Sequence, residues 1–239
     1  MLLSLYLAFY FQKEDYNVFR MKKGIQISET FLLAMIITFS GGLQDAYTYF
    51  ARNHVFANAQ TGNIVLMASK ISDGQWSDAL HYLFPLLSFA IGIFIAEQIQ
   101  GCFKEAKILH WRQYILLIEI GALFISGFFD ESLNALSNSL ISFACALQVQ
   151  TFRSMHGFPY ASTMCIGNLR SGVAALSHWC RTKKKDSFTK AMHYFIIILV
   201  FALGATLGYS LIPIFGMKSI WVSSTILFIG FLFMLIPEK

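Results

Sequence analysis

Three ionisable side chains stand inside apolar stretches of the chain: Asp45 in 29–50, Glu119 in 112–129, and Arg170 just inside a shorter segment, 164–177. A charge at membrane depth costs about 2.5–3.5 kcal/mol, so each needs a partner or a wet cavity. Asp45 and Arg170 carry opposite signs and come from different halves of the chain. They can neutralise each other as a pair, or Arg170 can stay free to bind an anionic solute. Glu119 follows Leu116, Leu117 and Ile118. It reads either as a coupling carboxylate that takes up and releases a proton or as a glutamate hydrogen-bonded to a neighbouring helix.

Two polar interruptions accompany these charges. The first, 53–63, is rich in turn formers and amides and ends in Gln60, Thr61, Gly62 and Asn63; the second carries Gly157, Pro159, Thr163, Gly167 and Asn168. Each leads into a short apolar run, the pattern of an extended stretch followed by a half-helix. Thr61 is the expected N-cap, and Gly62 allows close approach of backbone or ligand. Gly167 and Asn168 are expected to open the second half-helix. Non-helical backbone at membrane depth must be buried in protein or line a cavity, and a half-helix start presents free N–H groups and a positive dipole end. The plainer reading is that Asn63 and Asn168 satisfy local backbone while the glycines permit close packing. Gln44 and Gln148 stand at matching places before the two breaks and either line the cavity or bond across helices.

The elements that position these residues follow from a duplication. Leu43-Gln44 through Gly62-Asn63 returns as Leu147-Gln148 through Gly167-Asn168, and Ala79, His81, Tyr82, Phe89, Ala90 and Gly92 return as Ala191, His193, Tyr194, Phe201, Ala202 and Gly204, at a constant offset of 112. With 56% hydrophobic residues, 13% charged and 24 Phe, the composition is that of a membrane protein. Six segments are long enough to cross a bilayer: 29–50, 79–100, 112–129, 133–151, 190–211 and 218–236. The runs 61–69 and 164–177 are too short. Lys104, Lys107 and Arg112, then Arg181, Lys183, Lys184, Lys185 and Lys190, place two loops in the cytoplasm, and Lys22 and Lys23 hold the N-terminus there. If the short segments dip in and return, each half crosses three times and the halves are inverted repeats. The expected fold is an all-α membrane protein of six transmembrane helices plus two short broken or re-entrant half-helices. Its parts are a cytoplasmic N-terminal segment (1–28), a first repeat (29–132) and a second repeat (133–239), with both termini in the cytoplasm of a bacterial inner membrane.

Several function classes recede. The net charge of +5 sits in short loops, as topology requires, and does not point to nucleic acid. No nucleophile-elbow or zinc-protease motif is present, so an enzyme is not expected. Cys102, Cys145, Cys165 and Cys180 lack metal-ligand spacing and are expected as reduced thiols, with no metal or other cofactor. His81 and His193, each followed by Tyr, are expected as interfacial anchors. The run Lys183 to Lys185 reads as a topology signal with a possible role on anionic lipid. The apolar start 1–11 is too short to span, and Met21 before Lys22 and Lys23 looks like the more ordinary beginning.

Gly42-Leu43-Gln44-Asp45-Ala46, then Val55-Phe56, Gln60-Thr61-Gly62-Asn63, Leu147-Gln148 and Gly167-Asn168 resemble the YoaK-like family of bacterial multipass membrane proteins, over about 28–236. The resemblance implies a multipass inner-membrane protein and brings no substrate. The family pattern has Thr-Gly-Asn in the second half where Ile166-Gly167-Asn168 stands here. Inverted repeats with paired breaks are a common plan of secondary transporters. The expected function is therefore carriage of a small polar or anionic solute between half-helix N-termini near the midplane, with cation or proton coupling through Glu119 or Asp45. The expected substrate contacts are Gln44, Asp45, Gln60, Thr61, Gly62, Asn63, Gln148, Thr163, Gly167, Asn168 and Arg170. The expected partners are the lipid bilayer and that solute, with self-association into a homo-oligomer left open. The alternative is a non-transporting membrane partner, a sensor or an assembly factor.

Overall fold

The computed structural model describes residues 27–103 and 110–236. The expectations for 1–26 and for Lys104 and Lys107 lie outside these residues. Helix α1 (Phe31–Ala51) begins where Thr30, in extended backbone, accepts the Leu33 N–H on its hydroxyl oxygen at 3.4 Å. It ends before Asn53 and His54, whose φ values of 63° and 58° are left-handed and cannot continue a helix. After an extended stretch come α2 (Gln60–Ser72) and α3 (Trp76–Phe103). Helix α4 (Trp111–Ser126) opens with a reciprocal cap between His110 and Gln113. Helix α5 (Asn134–Thr151) leads to a two-stranded antiparallel hairpin, β1 (Ser154–Met155) with β2 (Phe158–Pro159). His156 and Gly157 form its turn with φ of 50° and 79°, the positive pair that a two-residue hairpin loop of matching twist requires. Helices α6 (Cys165–Thr182), α7 (Lys185–Phe215) and α8 (Ile220–Met234) complete the chain.

The protein is all-α apart from that hairpin among the described residues, and each of the six expected apolar segments carries a helix, namely α1, α3, α4, α5, α7 and α8. The second short segment departs from expectation. Helix α6 has 18 residues, as many as α5, so it is about 27 Å long; α2, with 13, is the shorter of the two. Helix α6 runs on through Arg181 and stops at Lys183, which adopts a left-handed cap. The expected basic loop therefore shrinks to Lys183 and Lys184, while Lys185 and Lys190 belong to α7.

The halves pack crosswise. Helix α1 lies chiefly against α7, and α5 chiefly against α3; α2 packs on α3 and α6 on α7; α4 and α8 close the bundle against α5, α1 and each other. Small residues bring these backbones together. A Cβ on Gly204 would overlap the carbonyl of Phe39, one on Gly42 would overlap that of Phe201, and one on Gly92 would stand 2.6 Å from that of Phe143. Gly92 and Gly204 are matching positions at the sequence offset of 112, and both crossings are made close by a glycine there. Leu33, Ile37, Leu43, Leu116, Leu123, Ile141 and Leu227 form the apolar core among α1, α4, α5 and α8. The outer faces of α3 and α7 expose Phe84, Leu87, Ile91 and Phe94, and Leu199, Leu203 and Leu207. Apolar stripes of this extent need cover. By length and apolar composition α3 suffices to cross a bilayer, as does the stretch Lys185–Met234.

Candidate functional site

The two breaks are closed by the same device. Phe56 N–H donates to Asn63 Oδ1 at 2.9 Å and Asn63 Nδ2 donates to Phe56 O at 2.7 Å. Ala161 N–H donates to Asn168 Oδ1 at 3.3 Å and Asn168 Nδ2 donates to Ala161 O at 2.7 Å. Each asparagine thus reaches seven residues back and supplies the extended strand with a donor and an acceptor that no helix or sheet provides. Asn63 Nδ2 also donates to Gln60 Oε1, and Gln60 Nε2 to Ala57 O. Both asparagines are buried. The backbone-satisfying reading of Asn63 and Asn168 describes their geometry.

The helix starts differ from expectation. Ala59, without a side-chain bond, holds the N-cap position of α2, and Thr61 is the exposed second residue of the helix. The carbonyls of Asn58 and Ala59 already take the N–H groups of Gln60, Gly62 and Asn63, which leaves a threonine cap nothing to do. Gly62 makes a close approach to the Phe56 ring, where a Cβ would stand 3.0 Å from the nearest ring carbon. Helix α6 begins at Cys165, so Gly167 is inside it, with open space around it, and Ile166 beside it is 84% exposed.

Gly41 of α1 is where both breaks meet. Asn58 of the first break donates its Nδ2 to the Gly41 carbonyl at 3.3 Å. From the second break, Thr163 Cγ2 stands 2.6 Å from where a Gly41 Cβ would be, and Gln148 Nε2 of α5 stands 3.4 Å from it. Gln148 Nε2 donates in turn to Ser162 Oγ at 2.9 Å. One turn along α1, Asp45 Oδ1 accepts the Asn58 N–H at 2.8 Å, and Thr48 Oγ1 accepts the Ala57 N–H at 3.1 Å. Ala57 and Asn58 of the break are therefore hydrogen-bonded through their N–H groups to side chains of α1.

Asp45 and Arg170 do not pair. Arg170 is exposed, Asp45 is buried, and the ion pairs among the described residues are Lys70–Asp78, Arg112–Glu29 and Arg153–Glu97. Glu119 is fully buried, and Gln44 Nε2 contacts its Oε1 at 3.4 Å. The same Nε2 lies 3.0 Å from Ser40 Oγ and 3.2 Å from Ser223 Oγ, while Cys145 Sγ donates to Gln44 Oε1 at 2.7 Å. Gln44 thus bonds across α1, α4, α5 and α8. His193 is buried against Phe31, with ring centroids 4.5 Å apart, and is not an interfacial anchor; His81, its repeat partner, is half-buried. The four cysteines are free thiols.

Sequence reasoning missed Asn58 and Arg52. Arg52 is fully buried, yet it makes no ion pair among the described residues. All five of its N–H groups are used. Nε donates to Tyr47 Oη, one terminal nitrogen to Asp130 O and Asn134 Oδ1, and the other to Ser126 O and Phe129 O, all within 3.1 Å. Its position next to Asn53 and His54, at the mouth of a break, was the available signal. Asn58 had none beyond being one amide among several in the 53–63 stretch.

Comparisons agree with the YoaK-like motifs. The model of a family described as "Protein of unknown function (DUF1275)" matches residues 33–233. The chain is 23% identical over 205 residues to the UPF0700 transmembrane protein YoaK of Bacillus subtilis (strain 168), covering 82% of this chain and 90% of that one. That likeness supports a membrane location here. No solved structure matches.

Proposed function

Since the chain belongs to the DUF1275 family of proteins of unknown function, we propose on physical grounds that it is a secondary transporter of a small polar solute in the bacterial inner membrane. In this reading α1, α3, α4, α5, α7 and α8 cross the bilayer, 29–132 and 133–239 are inverted repeats, and both termini face the cytoplasm. The observation that carries it is the meeting of the two breaks on Gly41. Asn58 of one half and Thr163 and Gln148 of the other approach a single glycine of α1, beside the buried Asp45. Paired breaks facing one another at a repeat interface are where carriers hold their substrates.

The substrate contacts proposed are Gln44, Asp45, Gln60, Thr61, Gly62, Asn63, Gln148, Thr163, Gly167, Asn168 and Arg170, with Glu119 in coupling. Asp45, Gln148 and Thr163 stand closest to the seam. The anionic form of the proposal draws on the N-termini of α2 and α6, whose early residues Thr61, Ile166 and Gly167 are exposed. It would then be Arg170, also exposed, that meets the anion. Thermal stabilisation of the purified protein across a panel of metabolites and inorganic ions, followed by uptake into liposomes of any stabilising compound, tests the proposal. Saturable uptake supports it. A flat panel with no uptake favours a sensor or assembly factor.

A further inference from the structure

The two breaks are pinned by side chains of different acid–base character. Arg52, at the start of the first, carries a guanidinium that stays charged throughout the pH range of a folded protein. His156, in the hairpin turn of the second, carries an imidazole, which gains and loses a proton between about pH 5 and 8.

The geometry fixes the state of that imidazole. Phe31 N–H, the first of α1, donates to His156 Nε2 at 3.3 Å from 125 positions away in the chain. A backbone N–H can only donate, so Nε2 offers a lone pair and the ring is neutral, with its proton on Nδ1. The His156 N–H in turn donates to Glu29 O at 2.9 Å. The start of α1 is therefore capped from two sides: Thr30 takes the Leu33 N–H, and His156 takes that of Phe31.

Protonation reverses the second contact. Nε2 becomes a donor facing a donor, and a positive charge arrives at the positive end of a helix. The groups around the hairpin do little to offset it. On α7, the ring centroid of His193 lies 5.6 Å from that of His156, Lys190 Nζ lies over the Phe158 ring at 4.8 Å, and Tyr194 Oη donates to Pro159 O at 2.7 Å. Glu29, in the turn Ile27–Glu29, pairs with Arg112 of α4 at 3.0 Å, so that carboxylate already has a counter-charge. Arg153, at the root of the hairpin, pairs with Glu97 of α3 at 3.4 Å, and Tyr160 at its other end is buried.

We propose that the hairpin 154–159 is a proton-released latch: neutral His156 caps α1 and holds the second break in place, and protonated His156 lets it go. The stretch so freed leads to Ser162 and Thr163, which stand against Gln148 and Gly41, so the seam loosens from this end. Arg52 gives the first break no such release. The latch goes beyond solute carriage and does not depend on it.

The test is amide hydrogen exchange of the full-length protein in detergent at about pH 8 and about pH 5, corrected for the intrinsic effect of pH on exchange. The reporters are the Phe31 and His156 amides, with those of Phe56 and Ala57 in the first break as internal reference. Reporter protection should fall by roughly tenfold or more in acid while the reference changes little. His156→Gln removes the titration and should abolish the difference, whether its hairpin stays held or is loose at both pH values. His193→Phe leaves the Phe31–His156 bond in place, and Glu97→Gln removes only the tie to α3; both should still release in acid. Equal protection of the wild-type hairpin at the two pH values, acid release that persists in His156→Gln, release that vanishes in either of the other variants, or a parallel loss at Phe56 and Ala57 overturns the inference.

Discussion

The two breaks share a clamp and differ in their locks. Asn63 and Asn168 make the same pair of bonds to Phe56 and Ala161, so the joint itself is common to both halves. Around it the surroundings diverge. The first break starts at Arg52, whose guanidinium gathers the carbonyls of Ser126, Phe129 and Asp130 from the connector between α4 and α5. The second contains a hairpin that docks on the start of α1: His156 N–H donates to Glu29 O, and Phe31 N–H donates to His156 Nε2. The comparison teaches that the two breaks share what satisfies broken backbone, while each is pinned in its own way. Only the first half placed a carboxylate beside the seam.

The largest effect is expected at the first lock. Arg52→Met strips three carbonyls, Asn134 and Tyr47 of their donor at once and should cost about 3–5 kcal/mol, the usual scale for breaking a buried charge network. Arg52→Lys should recover little, because three donors cannot serve five acceptors in a planar fork. Denaturant or thermal unfolding in detergent, against His156→Ala in the second lock, measures the asymmetry. A loss at His156 equal to that at Arg52 would break the comparison.

The shared helix crossings come next. Gly204→Ala drives a Cβ into the Phe39 carbonyl, and Gly92→Ala puts one 2.6 Å from that of Phe143. Neither carbonyl can yield without moving its helix, so each should destabilise by about 2–3 kcal/mol, with Gly204 the worse. Unfolding midpoints of the two single variants, compared side by side, check the order.

The clamps should then match one another. Asn168→Ala removes one donated and one accepted bond at a buried site and Asn63→Ala the same pair plus its bond to Gln60 Oε1, each at about 1–2 kcal/mol. Limited proteolysis of the 52–63 and 152–168 segments would show which one loosens. Similar losses sharpen the reading of a common joint. The smallest effect is at Asp130, where the Ser132 hydroxyl and N–H hold the carboxyl below its usual range. A depressed carboxylate stabilises above its unfolded-state pKa, and the contribution fades as pH falls from about 4 downward. Melting of wild type and Asp130→Asn should differ slightly at neutral pH and converge in acid.

Much of the helical layout was legible because it follows from apolar length. The six long segments became α1, α3, α4, α5, α7 and α8, and Pro and Gly marked the second break. Boundaries were less so. Helix α6 extends past Ser177 because Arg181 and its neighbours tolerate a helix that a charge-based loop assignment cuts short. Thr61 was misread because capping by a side chain is only one way to satisfy first-turn N–H groups, and the backbone of Asn58 and Ala59 does it here. The candidate site was half legible: Asp45, Gln148 and Thr163 come together beside Gly41, while Gln44 bonds instead to Ser40, Glu119, Ser223 and Cys145, and Arg170 and Gly167 are exposed.

What the sequence by itself determined is the apolar, membrane-like character, the residue matches at an offset of 112 and the places where the helices break, since these depend on apolar run length, on residue identity at a fixed spacing and on local turn chemistry. Which polar groups face one another was decided by tertiary structure alone. The crosswise packing of α1 on α7 and α5 on α3 sets which side of each helix is inward, and a rotation of one residue moves a side chain about 100° around the axis. That is why Arg52 and Asn58 came to matter and the opposite charges of Asp45 and Arg170 never met.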